Sequence, residues 1–262
     1  MSRSTLTQLA ENSDLISGIY NYCDRWCERC PFTSRCLVYA TEQADDERFS
    51  PESRDINNEA FWRRLSTIFQ ETREMVEGWA KEAGIDLKAI PEEEVSKSRK
   101  RKKQQPDHHS LAKAGKKYAG ATTDWFREFD QTLEVSDVKA TNNDTENAEQ
   151  VQEAREIIYW YQYQIAVKTM RALSGLDDEE DLFDEDASFP KDSDGSAKVA
   201  LIGTDRSIAA WRLMQLAVPE RSQSIIPLIL QLERLRRRIE ETFPDARSFI
   251  RPGFDEVLGE AN

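Results

Sequence analysis

Six stretches of this 262-residue chain carry apolar residues at the spacing that places them on one face of an α-helix. In the stretch 58–83, for example, Phe61, Leu65 and Ile68 begin such a stripe. No stretch shows the strict alternation of apolar and polar residues that is typical of a half-buried strand. The ten glycines and nine prolines are few for a β protein with many turns. We therefore predict an all-α fold, a helical bundle of about six helices joined by long charged loops.

Residues that cap or interrupt helices set the predicted ends of these segments. Pro31 ends the first helix and Gly175 the fourth. Asp194 or Ser196 caps the fifth. Pro227 requires the sixth helix either to begin shortly before it or to bend. The predicted helices are 5–30, 58–83, 110–133, 148–174, 196–217 and 224–242.

Two charged segments without apolar periodicity separate these helices. Residues 85–109 are predicted to be a flexible charged linker that contains the basic run Lys97–Lys103, and residues 176–194 an acidic loop. The tail from Pro244 is predicted to be a loop or a short terminal turn. The length suits one large domain, and we treat 1–262 as a single all-α domain.

The net charge and the distribution of apolar residues indicate which kinds of partner this protein is not expected to bind. A formal net charge of −13 argues against a general nucleic-acid binder, because contact with phosphates requires a positive surface. No segment approaches the roughly eighteen apolar residues of a membrane span, and the first residues lack the apolar core of an export signal. We therefore expect a cytoplasmic protein without a membrane partner, in a reducing compartment that disfavours structural disulfides.

All four cysteines of the chain fall within one segment of fourteen residues, CDRWCERCPFTSRC. The predicted first helix would place Cys23, Cys27 and Cys30 on one face, at positions i, i+4 and i+7. Pro31 would then turn the chain so that Cys36 returns to the other three. Four converging thiolates predict a metal site within residues 20–38, with all four cysteines as ligands.

The spacing favours one type of metal centre over another. Zinc accepts four thiolates, but it is usually held by two separate C-x2-C pairs. A single compact run of four cysteines is more typical of an iron–sulfur cluster, and we predict one of the 4Fe-4S type, with zinc as the alternative. Thiols without a metal are the third possibility. Arg25, Arg29 and Arg35 lie between the cysteines, where positive charge favours the thiolate form.

The segment CERCPFTSRC resembles the cysteine runs of SPASM-type auxiliary iron–sulfur domains in radical S-adenosylmethionine enzymes. Those runs contain C-x2-C-x5-C with a proline and an aromatic residue after the second cysteine, and the matching residues here are Cys27, Cys30, Pro31, Phe32 and Cys36. The first three cysteines have the spacing of the radical enzymes' own cluster. The resemblance covers these fourteen residues and implies an iron–sulfur ligand set. It implies no radical chemistry, because the alternating strands and helices of those enzymes are not predicted here.

A second candidate site centres on Asp205 in the fifth predicted helix. Its neighbours at helical spacing, such as Leu201 and Ile208, are apolar, so a carboxylate there requires a partner. Lys168 lies on the apolar stripe of the fourth helix and is a candidate partner. The pair would be either a structural ion pair between helices or part of a pocket for a small molecule. That pocket would be lined by Tyr161, Gln164, Lys168, Arg171 and Asp205.

These observations predict a metal-binding helical protein with a redox, sensing or cluster-stabilised structural role, and with a redox or protein partner. Two alternatives remain open. One is a non-enzymatic interaction protein stapled by zinc. The other is a helical-bundle enzyme whose pocket surrounds Asp205 and Lys168.

Overall fold

A computed structural model describes residues 9, 12–89, 108–136, 144–182 and 191–255 of the chain. Most of the predicted linker 85–109, with its basic run Lys97–Lys103, and the centre of the predicted acidic loop 176–194 lie outside these residues. Within them are six α-helices, several short 3-10 turns and no strand, which confirms the all-α prediction. The helices are α1 (Leu37–Arg48), α2 (Glu59–Glu82), α3 (Ser110–Ser136), α4 (Asp144–Leu182), α5 (Asp192–Ala217) and α6 (Ser222–Thr242).

Helices α2 to α6 lie where the apolar periodicity predicted them, and their ends show the expected local chemistry in part. The side chain of Asn58 accepts a hydrogen bond from the amide of Ala60 at 3.0 Å and caps α2. The caps predicted for α5 are wrong, because the helix begins at Asp192 and both Asp194 and Ser196 are buried inside it. Helix α6 begins at Ser222 and includes Pro227.

The predicted end of α4 is also wrong, and the reason is packing. The helix continues past Gly175 to Leu182. A methyl group at Gly175 would lie 3.2 Å from the backbone nitrogen of Ser193, at the start of α5. The glycine therefore permits a close approach of two helix backbones instead of ending a helix.

The predicted first helix, 5–30, is wrong for the residues from 12 onward. In its place the chain forms 3-10 turns, among them Ile19–Asn21 and Cys27–Arg29. Gly18 and Arg25 have left-handed backbones, with φ of 73° and 57°, which a continuous α-helix does not allow. The first long helix among the described residues of this region is instead α1, which the apolar pattern did not predict and which begins directly after Cys36.

The contacts of the chain form two compact units. Unit 1 consists of Met1–Lys100 and Arg251–Asn262, and unit 2 of Arg101–Ile250. The prediction of a single domain over 1–262 is not tested by this grouping and stays a prediction. Helices α1 and α2 belong to unit 1, and α3 to α6 form the helical bundle of unit 2.

The two units differ in how much apolar surface they bury. Among the described residues of unit 1, Ile19 and Ala80 are the only buried hydrophobic ones. Unit 2 has a dense core in which Tyr118, Tyr161 and Trp211 are fully buried. In the described part of the chain, no helix is long and apolar enough to cross a membrane.

Candidate metal centre

The four cysteines surround one small cavity in unit 1. The cavity has a volume of about 20 Å³, close to the room needed by one water molecule. All four thiols are free of disulfides and partly exposed. The rest of the wall is largely aromatic and aliphatic, and its residues are Ile19, Tyr20, Asp24, Arg25, Trp26, Thr33, Val38, Tyr39 and Phe254. The structure therefore brings the predicted ligands together, although not by the predicted helix.

Two successive 3-10 turns place the later cysteines. The turn Cys27–Arg29 closes with a hydrogen bond from the amide of Cys30 to the carbonyl of Cys27 at 3.1 Å. The turn Thr33–Arg35 closes in the same way, from the amide of Cys36 to the carbonyl of Thr33 at 3.2 Å. Each turn thus ends in a cysteine with an extended backbone. This repeated geometry explains why a short, unevenly spaced run can return its thiols to one cavity.

The sulfur atoms also make hydrogen bonds to the backbone. The amide of Phe32 donates a hydrogen bond to Sγ of Cys30 at 3.4 Å. The thiol of Cys23 donates to the carbonyl of Tyr20 at 3.5 Å. A bound metal requires thiolates, and binding would therefore release protons.

The segment 251–255 returns to the cysteine run, and sequence reasoning missed its role. Phe254 meets Phe32 edge to face, with ring centroids 5.1 Å apart. Gly253 has a φ of 74°, and a methyl group there would lie 2.9 Å from Cδ1 of Ile16 and 3.0 Å from Cδ1 of Ile19. The sequence predicted only a loop or a short turn for this tail. The available signal was the Pro-Gly pair at 252–253 followed by an aromatic residue.

The three interleaved arginines have different partners. Arg25 forms an ion pair with Glu42 at 2.7 Å, the Arg29 guanidinium lies 4.1 Å from the centre of the Trp26 ring, and Arg35 donates to a backbone carbonyl. Burial raises the pKa of the Cys27 thiol, and the charge of Arg25 only partly opposes this shift. At Cys27, therefore, the arginine charge does not produce the predicted preference for the thiolate form.

The four sulfurs surround the cavity without converging on one point. No group of three or more Cys, His, Asp or Glu side chains in the described part of the chain is arranged tightly enough to hold a metal ion. A tetrahedral zinc site requires sulfurs about 2.3 Å from the ion. The thiols would have to move inward to bind one ion, and the small cavity would have to widen to admit a cluster. The chemistry of the donor set, four thiols at one cavity, fits a soft metal.

The second predicted site does not form around Asp205 and Lys168. Asp205 instead pairs with Arg247 at 2.6 Å and with Arg236 at 3.4 Å. Its side chain is 38% exposed, so it does not require a buried partner. The prediction of a buried pair with Lys168 is wrong, because the fifth helix presents Asp205 to α6 and to the chain that follows it instead of to α4.

The remaining residues predicted for that pocket have separate environments. Arg171 is exposed and pairs with Asp192 at 2.8 Å. Tyr161 is fully buried, and its hydroxyl accepts a hydrogen bond from Arg206. Lys168 is buried and Gln164 is half-buried.

The protein is therefore an all-α protein in which four cysteine thiols of unit 1 cluster at one cavity. No protein family, curated protein or solved structure compared with this chain matches it.

Proposed function

We propose that Cys23, Cys27, Cys30 and Cys36 bind a metal centre that stabilises unit 1. The observation that carries the proposal is that four thiols surround one cavity in a unit whose described residues include only two buried hydrophobic ones. A unit with so little buried apolar surface generally depends on a metal, a disulfide or a partner for its stability. The free thiols at the cavity supply the ligands for the first of these.

The centre that we propose first is an iron–sulfur cluster, of the 4Fe-4S type. The compact single run of cysteines supports it, as does the resemblance of residues 27–36 to auxiliary iron–sulfur runs. The hydrogen bond from the amide of Phe32 to Sγ of Cys30 is of the kind that tunes the reduction potential of such clusters.

Zinc is the second candidate, and the cavity volume of about 20 Å³ favours it, because that volume accommodates a single ion. A zinc site of four thiolates is closed and structural, so the protein would then be a zinc-stapled interaction protein. With a cluster, the partial exposure of the cysteines would also permit a redox or sensing role with a protein partner. Either centre requires reduced thiols, which supports a cytoplasmic location.

The first test is the metal content of anaerobically purified protein. A broad absorption band near about 400 nm with iron and acid-labile sulfide is the expected result for a cluster. One zinc per colourless chain would select the zinc alternative. Protein that contains neither metal, and takes up neither on reconstitution, would overturn the proposal.

The ligands are tested by substitution within the same turns. Cys27→Ser and Cys30→Ser are each expected to abolish metal binding, because each removes one thiolate from the set. Ser34→Ala is the matched control, since Ser34 is an exposed residue of the second turn and lines no part of the cavity. Full metal occupancy in both cysteine variants would contradict a shared site.

A further inference from the structure

A basic groove lies on the surface of unit 2, between α3 and α6. It has a volume of about 430 Å³. Its eight lining residues include four cations and one anion, and they are Ala114, Lys117, Gln231, Arg234, Leu235, Arg237, Arg238 and Glu241. This local excess of positive charge contrasts with the net charge of −13 on the whole chain.

Two side-chain hydrogen bonds join the helices that form the groove. Arg238, near the end of α6, donates to the hydroxyl of Ser110 at the start of α3 at 2.6 Å. Trp125, near the middle of α3, donates to the hydroxyl of Ser224 near the start of α6 at 2.8 Å. These contacts make α3 and α6 antiparallel neighbours, and Leu235 of α6 is buried. The cations of the groove therefore stand on fixed helices, which reduces the ordering cost of binding a ligand.

The cations of the groove form no ion pair with a carboxylate in the part of the chain that the structure describes. The sequence offers Glu233–Arg237 and Arg237–Glu241 as i,i+4 pairs on α6, but neither pair forms in the structure. Glu233 instead forms ion pairs with Arg212, at 3.1 Å, and with Arg236. Within the described residues, Lys117, Arg234 and Arg237 make no ion pair. The groove consequently presents cations that are available to an anion from solution.

Neutral and acidic groups in the same groove would add specificity. The amide oxygen of Gln231 is buried and accepts no hydrogen bond in the described structure. Glu241 is an acceptor at the other end of the α6 lining, and Ala114 and Leu235 supply apolar surface. A ligand with hydroxyl or amino donors beside its negative charge would satisfy these groups.

We propose that this groove binds a small phosphorylated molecule. Arginine guanidinium groups match the geometry of phosphate oxygens and bind them bidentately. The volume of about 430 Å³ lies within the range of small-molecule sites. The α6 lining runs from Gln231 to Glu241, only about 15 Å of helix, and ends in a carboxylate. A short basic stretch in an acidic protein suits a compact anion better than a long nucleic acid. The site belongs to unit 2 and is independent of the proposed metal centre.

Isothermal titration of the full-length protein with pyrophosphate and with adenosine triphosphate tests this site. Saturable binding of either probe, one per chain, is the expected result. Citrate is expected to bind at least about tenfold more weakly than pyrophosphate, because carboxylates are less charged and less densely packed with acceptor oxygens. Absence of saturable binding by both phosphate probes would overturn the proposal, as would equal binding of citrate.

Variants locate the site and separate it from a nucleic-acid interface. Arg234→Gln and Arg237→Gln are each expected to weaken pyrophosphate binding by about tenfold, since each removes a charged donor. Lys113→Gln is the matched control, because it removes one charge from an exposed position of α3 outside the groove lining and should change binding by less than about twofold. Unchanged thermal unfolding of the variants would establish that they are folded. Equal weakening in the control would overturn the assignment.

A duplex oligonucleotide tests for a nucleic-acid ligand instead. If it binds more tightly than pyrophosphate, and if the same variants lose that binding, the ligand of the groove is a nucleic acid and the proposal of a small ligand is overturned.

Discussion

Tyr118 and Trp211 form the central polar contact in the core of unit 2. Both side chains are fully buried, and the indole nitrogen of Trp211 donates to the Tyr118 hydroxyl at 2.9 Å. Burial raises the pKa of Tyr118, so the phenol stays neutral. We expect Tyr118→Phe to lower the free energy of unfolding by about 1–3 kcal/mol, because it leaves a buried N–H without an acceptor.

Urea denaturation measures this loss, and Tyr163→Phe is the control. The Tyr163 side chain is 56% exposed, and its hydroxyl lies 2.9 Å from that of Thr123 at the surface. Water can replace that contact, so the control should change the free energy of unfolding by less than about 0.5 kcal/mol. Equal losses in the two variants would show that burial of the hydroxyl is not the cause.

Glu71 and Arg48 form the clearest pH-dependent contact in unit 1. The guanidinium group of Arg48 bonds to both oxygens of the carboxylate, at 3.0 and 2.7 Å, and lowers the pKa of Glu71 to about 2. Because the folded pKa lies below the ordinary value of 4.5, the stabilisation is complete above pH 4.5 and is lost as the pH falls toward 2.

The variant Glu71→Gln tests this contact. At pH 7 it should lower the free energy of unfolding by no more than about 1 kcal/mol, because the Arg48 side chain is 38% exposed and solvent screens the pair. At pH 3 the difference in free energy of unfolding between the variant and the unmodified protein should be less than about half of the difference at pH 7. Denaturation curves at the two pH values provide the comparison. A difference that is constant between them would mean that the carboxylate charge is not responsible.

At the scale of elements, the packing of α4 against α5 depends on a glycine. A methyl group at Gly203 would lie 2.8 Å from Cδ1 of Tyr161 and 3.3 Å from Cγ1 of Ile165. Gly203→Ala is therefore expected to lower the free energy of unfolding by about 1–3 kcal/mol through overpacking, although alanine is the better helix former.

Gly120 provides the matched control for this prediction. It lies in α3, and a methyl group there would have no neighbour within 4 Å. Gly120→Ala should raise the free energy of unfolding by about 0.5–1 kcal/mol, the usual helical preference of alanine over glycine. Thermal or urea unfolding of both variants should thus give shifts of opposite sign. Stabilisation by Gly203→Ala would show that α4 and α5 are less closely packed than the structure places them.

At the scale of the whole molecule, the two units should respond differently to metal removal. Unit 1 has little buried apolar surface among its described residues, whereas unit 2 has its own dense core. If the proposed metal centre stabilises unit 1, chelation should reduce the hydrogen-exchange protection of α1 and α2 and leave that of α4 and α5 unchanged.

Hydrogen exchange followed by mass spectrometry, with and without a chelator, measures this difference. Unchanged protection of α1 and α2 in protein shown to have lost its metal would contradict a structural role for the centre. Loss of protection in α4 and α5 as well would contradict the independence of the unit 2 core. Metal content, measured on the same samples, keeps this result separate from the question of which metal is bound.

The sequence by itself determined the parts of this protein that depend on local order. Helices α2 to α6 were predictable because each carries an apolar stripe with the period of a helix, and that period is a property of neighbouring residues. The gathering of the four thiols was expected because all four cysteines fall within fourteen residues that include Pro31, although the predicted helix is not what brings them together. Their metal remains a prediction.

Only the tertiary structure decided which distant residues meet. Gly175 was predicted to end α4, but it instead allows the backbone of Ser193 to pack closely against the helix. Asp205 was predicted to pair with Lys168, but its position on α5 places it in ion pairs with Arg236 and Arg247. The return of Phe254 to the cysteine run depends on a contact between residues far apart in the chain. Such contacts depend on how elements pack, and no local pattern of residues encodes that packing.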